Sequence, residues 1–302
     1  MSARQSLFFF FVDGIGLDDT NSNNPFSLRS NSGLSKIAEC ASWTTDHFCE
    51  HQSSTMVRRA IDASLGIEGL PQSGTGQSTL FTGVNCAELA GRHYGPFPHS
   101  TSKPLLASAN LYHQVGPERC AFANAYPERF FSMARKRNRW STTTRCCLDA
   151  NLQLRTISDL EDENAIAADL TGKGLAGVAE SAITQIPEQQ TAKRIANLCD
   201  SYQLVVAEYF HSDKAGHKQS HNLASTCLES IDLFFEGLLE HLDFNQTTVV
   251  VTSDHGNLED LSIKTHTLNP VPLLVRGPGA PFFCDVHDLT GIAGAISKSL
   301  TN

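Results

Sequence analysis

The sequence predicts an α/β fold, a three-layer sandwich in which helices cover both faces of a mostly parallel central sheet. Two observations support this prediction. Short apolar runs without polar alternation recur along the chain, as is typical of strands buried on both faces of a parallel sheet. Helical patterns lie between these runs, and strands that alternate with helices favour a parallel sheet.

The first predicted strand, 7–12, is a continuous apolar run that stops at Asp13-Gly14. Similar runs mark the other predicted strands, which are 120–125, 204–210, 248–252 and 271–275. The predicted helices are 35–41, which is weakly patterned, 103–114, 192–199, 223–242 and 289–300. In a sheet of this kind we expect functional side chains at the carboxyl ends of the strands.

The segment 126–187 differs from the rest of the chain. It holds a basic cluster between Arg129 and Arg145 and the acidic run 159–163, and its strand signals are poor. We interpret it as a small cap inserted into a core formed by residues 1–125 and 188–302. A long surface excursion with a solvated basic helix is an equal alternative.

Composition limits the function classes. The 302 residues carry 23 Lys and Arg against 32 Asp and Glu, a formal charge of −9, which argues against nucleic acid or an anionic membrane as a general partner. Anionic substrates stay possible because bound metal ions can invert the local field. Nine scattered Cys without a Cys-x-x-Cys motif are typical of reduced thiols, so we expect a cytoplasmic protein. The first apolar run is too short for a signal peptide, and no stretch reaches the length of a membrane span.

Asp and His side chains follow or adjoin three of the predicted strands. Asp13 follows the first strand, Asp213 and His217 follow the strand 204–210, and Asp254-His255 follows the strand 248–252, with His266 shortly after. Asp213 and His217 are spaced to share one face of a helical turn. Each residue alone has an ordinary explanation in a turn or a hydrogen bond. Together, at one edge of a sheet, they predict a metal site.

The segment 69–83 is rich in Gly, Ser and Thr and leads into an apolar stretch. This pattern is typical of a loop that enters a helix N-terminus, where free N–H groups favour an anion and lower the pKa of a hydroxyl. A Ser or Thr in the segment is therefore a candidate nucleophile. From the local sequence alone, an ordinary capped helix is the better interpretation.

These motifs resemble a known family. The segment 251–259 with Thr265-His266-Thr267 is similar to the C-terminal signature of cofactor-independent phosphoglycerate mutase and, more broadly, of the alkaline phosphatase superfamily. The segment 213–217 resembles the family motif Asp-x-x-Gly-His, and Asp13 resembles its N-terminal metal ligand. The resemblance is specific at both ends of the chain and weak through 85–200.

The resemblance implies two divalent metal ions. Asp213, His217 and His266 would hold one ion, and Asp13, Asp254 and His255 would hold the other with Ser73 as a further ligand. Ser73 would be the nucleophile that forms a phosphoserine, with Thr75 as the alternative if the loop is shifted. Mixed Asp and His ligands suit Zn²⁺ or Mn²⁺. The loop lacks the Cys/Ser-x-Pro-x-Arg pattern of sulfatases.

The resemblance leaves two reactions open for a small phosphorylated metabolite: hydrolysis, or transfer of the phosphoryl group within the molecule as in a phosphomutase. We favour a phosphohydrolase because a mutase needs an enclosed site, and only the middle segment of this chain is available to form a cap. A non-catalytic metal-binding module is a third interpretation. It is disfavoured because every ligand position that the resemblance implies has a matching residue. Five residues are candidate substrate contacts by their side-chain chemistry, although a packed turn explains the first three equally well: Arg92, His93, Tyr94, Arg129 and Arg135.

Overall fold

The computed structural model describes residues 5–28, 32–179 and 182–301. The strands are β1 (Ser6–Val12), β2 (His51–Gln52), β3 (Met56–Ile61), β4 (Cys120–Phe122), β5 (Ala125–Tyr126), β6 (Arg155–Thr156), β7 (Leu204–Tyr209), β8 (Thr247–Thr252) and β9 (Val271–Arg276). Seven of them form one sheet in the order β2-β3-β9-β8-β1-β7-β4, and β5 pairs with β6 separately.

The helices are α1 (Gly33–Ala38), α2 (Ser73–Thr82), α3 (Cys86–Ala90), α4 (Lys103–Ala109), α5 (Leu111–Val115), α6 (Glu128–Arg137), α7 (Thr142–Asp149), α8 (Ile157–Glu161), α9 (Glu188–Ser201), α10 (His211–His217), α11 (His221–His241) and α12 (Gly291–Thr301). Within the described ranges, none of them combines the length and the apolar character that a membrane crossing needs.

The large sheet is mixed but mostly parallel. β1 pairs in parallel with β7 and β8, and β4 pairs in parallel with β7. β9 is antiparallel to both β8 and β3, so β3 runs in the same direction as β8. β2 is antiparallel to β3 and is the other reversed strand. The predicted α/β fold with a mostly parallel sheet is confirmed.

The sheet separates two apolar layers. Along β1, Leu7, Phe9 and Phe11 pack into one layer, which includes residues of α2, α5 and α12. Phe8, Phe10 and Val12 pack into the other layer, which includes residues of α1, α9 and α11. Alternate side chains of a strand point to opposite faces, so a strand buried on both faces must be apolar throughout. The uninterrupted apolar run of β1 follows from this requirement.

Two predicted elements are divided in the structure. The predicted helix 103–114 is α4 and α5, because the side chain of Asn110 accepts hydrogen bonds from the amides of Tyr112 and His113 and starts a new helix. The predicted strand 120–125 is β4 followed by β5, and only β4 belongs to the large sheet. The other predicted strands and helices agree with the observed ones to within a few residues.

The segment 126–187 contains α6, α7, α8 and β6. A small apolar cluster of Leu160, Ala165 and Ala167 lies within it together with Ala125. α7 packs on α2 and α4, and its Cys146 and Cys147 belong to the same apolar layer as the core helices. The segment is thus joined to the core by shared packing as well as by sequence. Its role as a cap stays a prediction.

All nine Cys of the chain are free thiols.

Candidate metal centre

Strand direction brings the predicted ligands to one edge of the sheet. Asp13 follows β1, α10 begins just after β7, and Asp254 and His255 follow β8, so all three groups lie at carboxyl ends of neighbouring parallel strands. His266 precedes β9, whose reversed direction puts its beginning at the same edge. A β-bridge between Gly256 and Thr267 fastens the two loops together.

The first group of ligand atoms belongs to Asp213, His217 and His266, whose ligand atoms all lie within 4.8 Å of one another. His217 Nε2 is 3.3 Å from Asp213 Oδ2, and His266 Nε2 is 3.6 Å from Asp213 Oδ1. The two imidazole Nε2 atoms are 3.2 Å apart. This is the trio that the resemblance assigned to one ion.

A second group contains Asp13, Asp213 and His255 within the same limit. His255 Nε2 lies 3.4 Å from Asp13 Oδ1 and 3.5 Å from Asp254 Oδ2. Asp254 and His255 have no exposed surface. The resemblance implied Asp254 in place of Asp213 in this group. Asp213 therefore belongs to both groups, and Asp254 lies next to the second group, in contact with His255.

The hydrogen bonds of the three His fix which ring nitrogen is free. Nδ1 of His217 is 3.0 Å from the Lys264 carbonyl, and Nδ1 of His266 is 2.7 Å from the Pro71 carbonyl. Nδ1 of His255 is 3.4 Å from the carbonyl of the adjacent residue. A carbonyl only accepts, so Nδ1 must carry the hydrogen in each ring. In the neutral form of each ring, Nε2 then presents a lone pair, and two such nitrogens 3.2 Å apart suit a shared cation.

The acid–base properties of the site also fit a cation. Burial, together with the negative charges of Asp254 and Asp213, raises the pKa of Asp13 well above its ordinary value. Burial and the charge of Asp213 raise the pKa of Asp254 to about 6. Burial lowers the pKa of His255 to about 3, which keeps the ring neutral and able to bind a metal. Among the described residues, Asp13 Oδ1 is a buried oxygen with no hydrogen-bond donor. Divalent ions would remove this carboxylate repulsion.

α2 supplies the predicted nucleophile. Ser73 is the first residue of this helix, and its Oγ lies 3.0 Å from His255 Nε2. Thr75, the alternative, is fully buried, and its hydroxyl lies 3.2 Å from the Gln72 carbonyl and 3.1 Å from the amide of Tyr94. Thr75 thus ties α2 to the following loop, whereas Ser73 adjoins the metal ligands. The assignment of Ser73 as the nucleophile stays a prediction.

Gln77, one turn after Ser73, was not among the predicted site residues. Its Nε2 donates to Asp254 Oδ2 at 3.1 Å and lies 3.3 Å from Asp13 Oδ2. An amide that bridges two carboxylates holds them in position for a metal. The spacing of four residues between Ser73 and Gln77 was the available signal, because such residues share a helix face.

A cavity of about 470 Å³ opens beside the site and is lined by Asp13, Ser73, Gln77 and Asp213. Other lining residues come from the segment 126–187.

Two charged residues of this cavity were also missed. Lys214 Nζ lies 4.1 Å from the ring centre of Phe210, and loss of water around the ammonium lowers its pKa. Glu208 on β7 is buried and accepts hydrogen bonds from Tyr126 and Thr143.

The five predicted substrate contacts do not line this cavity. Arg92 is exposed with its guanidinium 5.7 Å from the ring centre of Tyr94, and His93 bonds to the Ile67 carbonyl. Arg129 and Arg135 are exposed on α6, where Arg135 pairs with Glu128 two turns earlier. Their assignment as substrate contacts stays a prediction without support from this geometry.

Solved structures share the fold. The alkaline phosphatase of the Antarctic bacterium TAB5 superposes with a TM-score of 0.57 at 14% identity, covering 99% of this chain and 98% of that one. A phosphoglycerate mutase of Leishmania mexicana superposes with a TM-score of 0.53 at 11% identity, covering 98% and 95%. At these identities the likeness concerns the fold alone.

Curated relatives match the chain only in part. A 2,3-bisphosphoglycerate-independent phosphoglycerate mutase of Pyrococcus abyssi is 29% identical over 92 residues, which is 30% of this chain and 22% of that protein. The enzyme of the same name from Synechocystis is 39% identical over 85 residues, which is 26% of this chain and 16% of that protein. The matched segments thus cover about a fifth of the length of these relatives.

The family model described as Metalloenzyme superfamily matches residues 149–301, which is half of the chain. This range includes Asp213, His217, Asp254, His255 and His266. The chain belongs to the metalloenzyme superfamily.

Proposed function

We propose that the protein is a metal-dependent phosphohydrolase that acts on a small phosphorylated metabolite through a phosphoserine at Ser73. One observation carries the proposal. Ser73 Oγ lies 3.0 Å from His255 Nε2 at the first residue of α2, next to three carboxylates and three imidazoles that converge. A serine hydroxyl in this position can act as the nucleophile in phosphoryl transfer.

Two divalent ions fit the donor set. We assign Asp213, His217 and His266 to one ion, and Asp13, Asp254 and His255 with Ser73 to the other. Zn²⁺ or Mn²⁺ suits these mixed oxygen and nitrogen donors. When bound, the ions supply Lewis-acid stabilisation of the phosphoryl oxygens and favour the deprotonated hydroxyl.

The chain itself positions the reacting groups. Ser73 Oγ forms a bond to phosphorus while the bond from phosphorus to the substrate oxygen breaks, and the released oxygen takes up the proton that the Ser73 hydroxyl loses. Water then cleaves the phosphoserine and yields inorganic phosphate. Backbone N–H groups at the start of α2 favour the phosphate charge. Gln77 holds the carboxylates of Asp13 and Asp254.

A phosphomutase is the second candidate, and the names of the curated relatives favour it. A mutase must retain the dephosphorylated intermediate until the phosphate returns. Among the described residues that line the cavity, Lys214 is the one Lys or Arg side chain, so an acidic intermediate has a single cationic contact there besides the metals. This cavity therefore favours release and hydrolysis. The segment 126–187 contributes Tyr126 and Phe130 to its wall, which supports its assignment as a cap.

The metal-loaded protein should be incubated with a panel of sugar, glycerate and aromatic phosphates while free phosphate is followed. Release of phosphate supports a hydrolase, and an isomerised ester without free phosphate would instead establish a mutase. Trapping of the phosphoenzyme and mass mapping tests the nucleophile. We expect the label on Ser73, loss of the label in Ser73→Ala and its retention in Thr75→Ser. A label on Thr75 would reverse the assignment.

A further inference from the structure

The cavity beside Ser73 has an aromatic wall formed by Phe97, Tyr126, Phe130 and Phe210. Tyr126 and Phe130 stack with ring centres 4.2 Å apart and an interplanar angle of 17°, and both line the cavity. Phe210 lines it too and stacks with His211 at 4.8 Å. Planar rings in such numbers recognise another planar, apolar surface.

This wall begins directly beside the nucleophile. Gly74 follows Ser73, and a Cβ added to Gly74 would lie 2.2 Å from the Phe97 carbonyl oxygen. The backbone of Phe97 therefore packs against the first turn of α2. Because Phe97 and Ser73 both line the cavity, the aromatic wall extends to the start of α2.

The wall is held rigidly before any ligand binds. The Tyr126 hydroxyl donates to Glu208, which also accepts a hydrogen bond from Thr143 at 2.6 Å. Phe130 packs edge-to-face against Phe131 at 5.6 Å and against Trp140 at 6.2 Å. Preorganised rings lose little conformational entropy when they bind a flat group.

Charge in the cavity disfavours a substrate that carries a second anionic group besides the phosphate that reacts. Asp169 and Glu208 line it, and Lys214 is its one Lys or Arg among the described lining residues. Asp169 accepts from the amides of Gly172 and Gly174 and so stays fixed at the wall. A carboxylate or a second phosphate on the substrate would meet these carboxylates with one cation to offset them.

We propose that the preferred substrate is a phosphate monoester whose alcohol carries an uncharged, planar aromatic group. The phosphate lies at Ser73 and the metal ligands, and the ring packs on Tyr126, Phe130 and Phe97. This inference rests on the proposed phosphohydrolase function and names its substrate class. It also separates this chain from its named relatives, because a phosphoglycerate bears a carboxylate. A cavity of about 470 Å³ has room for a phosphate and an aromatic group.

Kinetics on the metal-loaded protein tests the preference. Benzyl phosphate should exceed 3-phosphoglycerate in kcat/KM by at least tenfold. Phe130→Leu should lower the ratio of kcat/KM for benzyl phosphate to that for methyl phosphate by about three- to tenfold, the range expected for one lost aromatic contact. The control Phe282→Leu changes an exposed Phe outside the cavity and should leave this ratio unchanged. Preference for 3-phosphoglycerate, or an equal ratio in Phe130→Leu and wild type, would overturn the inference.

Binding tests the same inference without turnover. Benzylphosphonate and 3-phosphonopropionate, which are not hydrolysed, should be titrated calorimetrically into the metal-loaded wild-type protein. We expect tighter binding of benzylphosphonate by at least tenfold, and tighter binding of the carboxylated compound would overturn the inference. If no ester releases phosphate, the proposed function fails, while this binding ratio still decides the nature of the recognised group.

Discussion

At the scale of single residues, hydrogen bonding of the imidazoles determines where a metal can bind. His266 donates through Nδ1 to the Pro71 carbonyl at 2.7 Å, which leaves Nε2 free toward Asp213 and His217. We expect His266→Ala to lower the bound Zn²⁺ or Mn²⁺ by about one ion per chain, because a three-ligand group loses its buried member. Metal content after dialysis, measured by mass spectrometry, checks this.

The matched control is His221→Ala. His221 is an exposed residue at the start of α11 and belongs to neither ligand group. Its removal should leave the metal content unchanged. Equal metal content in wild type, His266→Ala and His217→Ala would contradict the assignment of the first group.

Glu208 makes the stability of the fold depend on pH. Burial raises the pKa of this carboxyl, so the native state binds its proton more readily than the unfolded chain does. The stability that protonation gives is present at low pH and is lost as pH rises from about 4.3, the value in an unfolded chain, through the higher value in the fold. Glu208→Gln does not titrate.

We therefore expect the free energy of unfolding of Glu208→Gln, relative to that of wild type, to increase as pH rises from about 4 to 8. Urea unfolding at several pH values, with a chelator present throughout, measures the difference. A difference between the two proteins that does not change with pH would show that Glu208 titrates alike in both states.

At the scale of secondary structure, the start of α2 depends on the absence of a side chain at Gly74. A Cβ there would lie 2.2 Å from the Phe97 carbonyl oxygen, and backbone cannot move aside as a side chain can. Gly74→Ala should therefore destabilise the fold by about 1–3 kcal/mol and displace the nucleophile next to it. Thermal unfolding and the yield of phosphoenzyme measure the two effects.

Gly294→Ala is the control for this change. Gly294 lies inside α12 and has open space where a Cβ would be added. Alanine stabilises a helix interior relative to glycine, so this variant should gain about 0.5–1 kcal/mol. If Gly74→Ala behaved like Gly294→Ala, the close packing of α2 on Phe97 would not constrain the site.

The elements that sequence could predict are those buried on both faces. β1 and β8 read as apolar runs because both their faces pack in the core. β3 was missed because Arg58 and Arg59 interrupt its apolar pattern. These side chains are buried and donate to the carbonyls of Glu39 and Cys284, contacts that depend on the folded chain and leave no periodic signal.

The site was predictable where local sequence order determines position. Asp13 and Asp254 follow strands directly, and the sheet then brings them together. Three further side chains lie at the site because of the face of the helix or strand that carries them: Gln77, Lys214 and Glu208. Their roles depend on which neighbours pack against that face. The reversed direction of β9, which brings in His266, follows from strand pairing and could not be read from the order of elements.

At the scale of the whole molecule, the candidate metal centre joins distant parts of the chain. Its two ligand groups connect Asp13 near the beginning with His266 near the end, through α10 and the loop after β8. Three carboxylates gathered at one edge repel one another in the metal-free fold, as the raised pKa values of Asp13 and Asp254 indicate. Cation binding should therefore stabilise the native state against an unfolded chain in which these groups are far apart.

Mass action gives the size of this effect. A site that holds its ion only in the native state adds about 2.7 kcal/mol when free metal is a hundredfold above Kd. We expect the Tm of wild type to rise by several degrees from chelator to excess Zn²⁺ or Mn²⁺, and His217→Ala to lose part of that increment while His221→Ala keeps it. Calorimetric scans of the three proteins in both conditions measure this. A wild-type Tm that is the same with chelator and with metal would mean that the repulsion among the carboxylates is relieved by protons alone, and that the edge of the sheet is not a metal centre.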